Sequence, residues 1–294
     1  QDSSMFLKLK TLTLLSSAIF SLVACASSSQ LYNSKTQTTY GLEDGLKKMP
    51  TTGFILLGET HYQEDIQAAQ GEFIDKAVQV HGLEDNYTVA WEFLNYPDQQ
   101  KLESQFALYK EGQLNLVDML EPFFGKNADR HTVYGPLFES AARAGGKMVA
   151  TNAPRAWKSK IVQGGLAGLD PQYIPANMER GPKEYFERFE AVMGGHAPAD
   201  QLENYFLAQS YADAVMAKSL VDLSEGDMTF MAVGHFHTDY DHGLPYYLKK
   251  LTNRPVVHVR MVDFKGLTVE EREKLLHGDA TYGAVAPWIL IVNP

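Results

Sequence analysis

Three short apolar runs end in ionisable residues, and that placement limits what the chain can fold into. Phe54-Ile55-Leu56-Leu57-Gly58 runs into Glu59-Thr60-His61, Thr88-Val89-Ala90-Trp91 into Glu92, and Phe230-Met231-Ala232-Val233-Gly234 into His235-Phe236-His237. Apolar runs of this length read as strands buried on both faces of a parallel sheet. Open α/β sheets bind ligands beyond the carboxyl ends of their strands. The sequence therefore predicts carboxylates and imidazoles gathered at one sheet edge.

Between these runs the periodicity turns helical. Ile66, Ala69, Phe73, Ala77 and Val80 recur at helical spacing over 64–80. Further helices are expected at 99–111, 114–124, 134–144 and 246–251, and further strands at 147–151, 255–262 and 288–292. Residues 155–225 contain no convincing strand and read as an all-helical insert, with its best helices at 183–193 and 200–223. The second carries Leu202, Tyr205, Phe206, Ala212, Met216 and Leu220 on one stripe. The expected fold is α/β: a parallel sheet flanked by helices, with an all-helical insert subdomain, in one domain over 50–294.

The front of the chain reads as targeting. Residues 1–24 have the pattern of a signal peptide, with Met5 as the expected start and Lys8 and Lys10 as the positive n-region. The apolar stretch 11–23 is too short to span a bilayer well. Leu22-Val23-Ala24-Cys25 resembles the bacterial lipobox, which makes Cys25 the expected lipidation site. Ala26 follows it, with no Asp retention signal, so the expected address in a Gram-negative host is the outer membrane. Residues 25–49 are expected to form the lipidated N-terminus and a flexible tether, because 26–40 are rich in Ser, Thr and Gln. Cys25 is the only cysteine, so no intramolecular disulfide can form and stability must come from the core. The composition, 45% hydrophobic and 11% aromatic, is sufficient for that. A formal charge of −10 with no basic run argues against nucleic acid as a partner.

The strand-end residues suggest two chemistries. Glu59 and His61 lie two apart, so on a continuing strand they share a side. His235 and His237 repeat that spacing on another strand. Glu59, His61, Glu92 and His235 together suit a divalent metal, or a general base held by a carboxylate. Singly, each has a plainer reading: Glu59 caps the next helix, His61 pairs with Glu92, and His237 faces solvent. Asn152 and Arg155 follow another strand end, where Arg155 is either a carboxylate or phosphate ligand or an ordinary surface residue. Asp213 on the insert helix is a buried or a solvated acid. The segment 235–247 is dense in Tyr and His, both of them haem-iron ligands. Its loop residues Tyr240 and His242 are better candidates than Tyr246 or Tyr247, which suit a packed helix.

One family carries this set of residues. Gly58-Glu59-Thr60-His61, Trp91-Glu92, Asn152-Ala153-Pro154-Arg155, Gln209 with Asp213, Met216 and Ala217, Gly234-His235 and Gly243-Leu244-Pro245 together resemble the ChaN-like haem-binding lipoproteins over about 50–262. The wider superfamily includes erythromycin esterases and Tiki/TraB proteins, some of them hydrolases using the same Glu, His, Glu and His positions. The resemblance implies a surface lipoprotein of haem and iron uptake that takes ferric protoporphyrin IX. It implies haem held between two protomers by a Tyr ligand, with His and Lys at the propionates, and an outer-membrane haem receptor as a partner. Tyr240 is the expected ligand, with His237 and His242 beside it. Tyr134, Tyr173, Tyr185 and Tyr205 are the alternatives. A hydrolase working through Glu59, His61, Glu92 and His235 is the competing function.

Overall fold

Every apolar run that meets a Glu or His becomes a strand of one sheet. The computed structural model describes residues 29–294 except 177, 194, 196, 197 and 199. The signal segment and Cys25 lie outside the described residues. The strands are β1 (Gln30–Asn33), β2 (Thr38–Gly41), β3 (Gly53–Glu59), β4 (Tyr87–Asn95), β5 (Lys147–Asn152), β6 (Met228–Gly234), β7 (Val256–Asp263) and β8 (Trp288–Val292). They form one sheet in the order β2-β1-β8-β7-β3-β6-β4-β5. Pairings from β8 through β5 are parallel, and β1 joins β8 and β2 antiparallel.

The helices are α1 (Leu42–Leu46), α2 (Glu64–His81), α3 (Gln99–Lys110), α4 (Leu116–Phe124), α5 (Gly135–Arg143), α6 (Arg155–Gly164), α7 (Lys183–Met193), α8 (Leu202–Leu223), α9 (Leu244–Leu251) and α10 (Val269–His277). They cover both sheet faces, which is why β3 and β6 are buried along their whole length. Ile55, Leu57, Trp91 and Phe230 pack on one face against Phe73 and Ala77 of α2 and Leu137 and Phe138 of α5. Phe54, Leu56, Ala90, Met231 and Val233 pack on the other against Ala214, Ala217 and Leu220 of α8 and Leu244 and Leu248 of α9. Adjacent strand residues go to opposite layers, as the pleat requires.

The insert 155–225 is helical among its described residues, as expected, but it is not set apart. Its long helix α8 is one of the two layers that close the sheet. Residues Ser210–Ala217 are buried on every side of that helix, the condition of a helix packed within a core.

The expected tether is a difference of another kind. Residues 30–41 form the hairpin β1–β2, which extends the sheet at β8. Leu31 is fully buried, and the helix that follows approaches so closely that a Cβ on Gly45 would meet Leu31 at 2.8 Å. Polar spacing hid two strands that need a partner edge to exist. Helix α10 was also missed, although Thr268 and Glu271 form a capping box at its start.

Strand order explains where a site can form. Strand β6 comes late in the chain yet inserts between β3 and β4. The register pairs Glu59 with Gly234 and Trp91 with Ala232. The carboxyl ends of β3, β6 and β4, carrying Glu59, Gly234-His235 and Glu92, therefore stand side by side.

Candidate functional site

Glu59 is the fixed point of the site. It is buried at the end of β3, and its two oxygens are fully engaged. Oε1 accepts from the Tyr134 hydroxyl at 2.7 Å and from His61 Nδ1 at 2.8 Å. Oε2 accepts from Gln70 Nε2 at 3.2 Å and from Gln67 Nε2. A carboxylate can only accept, so a His61 proton sits on Nδ1 and Nε2 is left on the Glu92 side. Nε2 lies 4.0 Å from Glu92 Oε2, and the ring is about one-third exposed, 36%. Burial opposes the charged imidazole, but the Glu59 hydrogen bond and the Glu92 charge outweigh it, and the His61 pKa is raised.

Glu92 links this pair to a second one. Its Oε2 accepts from the Gly234 N–H at 2.6 Å, and its Oε1 lies 3.4 Å from His237 Nε2. His237 Nδ1 is 2.6 Å from Asp213 Oδ1 on α8. Tyr185 of α7 donates to Asp213 Oδ2 at 2.9 Å, and Gln209 Nε2 donates to the Tyr185 oxygen at 2.9 Å. Burial raises the carboxyl of Glu92, yet His237 and His61 with the Gly234 amide bring it down to about 2. Burial likewise lowers His237, and Asp213 and Glu92 overcome it, raising the imidazole to about 10. Asp213 itself is shifted up, because burial outweighs its partners. The result is a continuous line from Tyr134 through Glu59, His61, Glu92, His237 and Asp213 to Tyr185.

Glycine at two strand ends makes the line possible. A Cβ on Gly234 would lie 2.9 Å from His61 Nε2, and one on Gly58 would lie 2.3 Å from Thr238 Oγ1. Both contacts are too close for any side chain.

The structure does not bring His235 into this set. Its Nδ1 is 2.8 Å from Asp239 Oδ2, beside Arg188 and Arg260, and burial lowers its pKa against the pull of Asp239. His237, read from sequence as a haem-side residue, takes the place beside Glu92 instead. The reason is local. Strand β6 stops at Gly234, and residues His235–His237 form a 3-10 turn. Three residues per turn do not put i and i+2 on one side. The expected metal set therefore does not assemble. Among the described residues, no group of three or more His, Cys, Asp or Glu side chains is placed to hold a metal ion.

Asn152 and Arg155 do reach the cleft. Asn152 is buried at the end of β5, and its Oδ1 accepts from the Ala153 N–H at 2.8 Å and from Lys158 Nζ at 3.2 Å. A cavity of about 570 Å³ is lined by Glu92, Asn152, Arg155 and Lys158 together with Phe93 and Phe124. Lys158, Gln67 and Gln70 were missed from sequence, Tyr134 was named only as an alternative haem ligand, and Gln209 only as part of the family pattern. Gln67 and Gln70 carried a usable signal, as two amides three residues apart beside the apolar stripe of a helix.

Tyr240 and His242 lie apart from this line, in a small aromatic group. Their ring centroids are 5.9 Å apart, and Tyr282 lies 5.4 Å from Tyr240. The Arg188 guanidinium sits 4.7 Å from the Tyr240 ring centre. Tyr240 and Asp241 both have left-handed backbone, with φ of 64° and 63°. Two such residues in succession without glycine are strained, and strain of this kind collects at functional sites. Among the described residues the Tyr240 hydroxyl makes no hydrogen bond. The alternatives Tyr134 and Tyr185 are fully buried with their hydroxyls committed to Glu59 and Asp213. Tyr173 stacks on Trp157 at 4.0 Å, and Tyr205 lines the cleft near Gln209.

A family described as haem-binding uptake, Tiki superfamily, ChaN matches residues 46–248. The chain belongs to this family. The ChaN match takes in the whole Glu/His line together with Tyr240 and His242, and it leaves out the hairpin, α10 and β8. A solved structure titled as cofacial heme binding to ChaN of Campylobacter jejuni superposes with a TM-score of 0.68 at 17% identity, covering 90% of this chain and 97% of that one. At that identity the likeness shows the fold. The type III effector HopBA1 gives a TM-score of 0.44 at 12% identity, covering 81% of this chain and 86% of that one. A Bacillus cereus protein gives 0.42 at 14% identity, covering 76% and 70%. Neither of these two carries an argument. None of the curated proteins is a significant sequence match.

Proposed function

We propose that this protein binds haem and serves haem or iron uptake, with Tyr240 as the iron ligand. The observation that carries the reading beyond family membership is the Tyr240 loop. A strained backbone holds a half-buried phenol, its oxygen without a hydrogen bond among the described residues, beside two further aromatic side chains, His242 and Tyr282. Those rings would pack a macrocycle, and the phenolate would supply an anionic ligand that favours ferric iron. Binding would release the phenol proton, which burial holds on in the free protein. Ferric protoporphyrin IX is the form this ligand suits. Two copies of the chain holding haem between them would extend to this protein the cofacial binding named for the Campylobacter jejuni structure. The lipobox at Cys25 supports anchoring in an outer membrane, with a haem receptor there as the delivery partner.

A hemin titration tests this directly. The expected result is a saturable Soret shift with a high-spin ferric spectrum, near one haem per protomer, and a haem-dependent dimer in light scattering. Absence of saturable binding would remove the reading.

A hydrolase is a second reading, favoured by one specific observation. His61 is held through Nδ1 by a buried carboxylate and is partly exposed with Nε2 on the Glu92 side, the arrangement of an oriented general base. Water would be the nucleophile it activates. On this reading His61→Ala abolishes hydrolysis of an ester or amide substrate and leaves the hemin titration unchanged. Equal hydrolysis by the variant would rule the dyad out.

A further inference from the structure

The cleft beside Glu92 has a cationic wall that neither the haem loop nor the His61 dyad uses. Arg155 and Lys158 both lie on the first turn of α6. Arg155 is exposed and makes no hydrogen bond or ion pair among the described residues. Lys158 is half-buried, and its hydrogen bond to Asn152 Oδ1 at 3.2 Å is its one direct polar contact among the described residues. No carboxylate of the described residues is within ion-pair distance of either cation. Burial pushes the Lys158 pKa down, and it prevails although the Glu92 charge pulls upward more than Arg155 pushes down.

Such a pair is costly to maintain. Like charges three residues apart on a helix repel, and one of these two is also partly withdrawn from water. In a chain of net charge −10, acidic side chains are plentiful, yet among the described residues none forms an ion pair with either cation. A bound anion would relieve both costs.

The surroundings define which anion. Lys158 borders three neighbouring cavities of about 340, 570 and 500 Å³. The largest is lined in part by half-buried Phe93, Phe123 and Phe124. Glu92 and Asp98 also line this cavity, Glu92 held by His237 and the Gly234 amide and Asp98 paired with Lys101 at 2.8 Å. These two carboxylates disfavour a doubly charged phosphate more than a singly charged group. A guanidinium and an ammonium side by side suit a carboxylate, and the phenyl rings suit an apolar body attached to it.

We propose that this cleft binds a small carboxylic acid, its carboxylate on Arg155 and Lys158 and its apolar body against Phe93, Phe123 and Phe124. The site is separate from the Tyr240 loop and independent of the haem reading. The propionates of haem share the carboxylate chemistry, so the test must tell the two apart.

Phenylacetate is a suitable probe. Titrated into the full chain by calorimetry or ligand-observed NMR, it binds saturably. Arg155→Met and Lys158→Met each weaken it roughly tenfold, the value of one charge-assisted hydrogen bond. Neutral phenylacetamide binds at least about tenfold more weakly, for the same reason. Protein loaded with hemin binds phenylacetate as the free protein does. Arg155 is exposed, so its variant reports even where Lys158→Met fails to fold. The proposal is overturned by absent saturable binding, by variants that bind as wild type, or by phenylacetamide binding equally. Displacement of phenylacetate by stoichiometric hemin also overturns it, because the cations are then a propionate subsite of the haem site.

Discussion

Replacing Tyr240 by Phe lowers the affinity for ferric haem by roughly a hundredfold or more, about 2.7 kcal/mol, and removes the phenolate-like spectrum. The substitution deletes one oxygen and keeps the ring, so contacts with His242, Tyr282 and Arg188 survive. That oxygen makes no hydrogen bond among the described residues, so its loss leaves no buried group unpaired. Stability therefore stays within about 0.5 kcal/mol of wild type. The loop itself is held by other groups. The Tyr240 N–H donates to the Val285 carbonyl at 2.8 Å, and Asp241 is gripped by Lys249 at 2.8 Å and His258 at 3.2 Å. Those contacts pull the Asp241 carboxyl down against the effect of burial. They hold two left-handed residues in place against a cost of about 1–3 kcal/mol each. Equilibrium hemin titration of both proteins, with urea melts as the control, decides the matter. A Tyr240→Phe protein that binds hemin like wild type ends the Tyr240 assignment while leaving family membership intact.

The parts legible in the sequence were those fixed by short-range pattern. The run 54–58 has no residue that breaks a buried strand, so Glu59 had to stand at its end, and likewise Glu92 after Trp91. What escaped was set by events between distant segments. Nothing in Gly234-His235-Phe236-His237 announces that the strand stops one residue before the first His, and that single break exchanges the roles of the two imidazoles. Tyr134 reaches Glu59 only because α2 and α5 pack as neighbours on the same sheet face. Asp213 could be recognised as a candidate but not assigned, since its neighbours Tyr185 and His237 lie on other elements. The role of α8 was readable in hindsight. Ala212, Ala214, Val215, Met216 and Ala217 give it small or apolar residues all round, which a helix with one solvated face does not need. The β1 and β2 segments Gln30–Asn33 and Thr38–Gly41 offered no such signal, because four mixed residues become strands only through the edge of β8.

Asp213→Ala destabilises the fold by about 3–5 kcal/mol, the usual effect of removing one partner from a buried charged pair. The substitution leaves His237 with Glu92 as its one carboxylate partner, beside Gln209, and strips the Tyr185 hydroxyl of its acceptor in a fully buried position. The wild-type pH profile carries the same interaction. His237 rises from 6.5 to about 10 on folding, so its contribution is fully present below pH 6.5 and is lost as pH climbs toward 10. Glu92 falls from 4.5 to about 2, so its contribution is present above pH 4.5 and is lost as pH drops toward 2. Asp213 is shifted up by burial, so its own contribution is present below pH 3.8 and is lost as pH rises above it, opposite in sign to that of Glu92. The pair therefore stabilises most between about pH 4.5 and 6.5, and the urea midpoint of the wild type declines from pH 7 to pH 10. In Asp213→Ala that alkaline decline is shallower, because His237 no longer holds its proton as tightly. A variant that loses less than about 1 kcal/mol, or one that keeps the full alkaline slope, would show that His237 is not held charged between the two carboxylates. The line from Glu59 to Asp213 would then be a set of separate contacts rather than one charge-balanced unit.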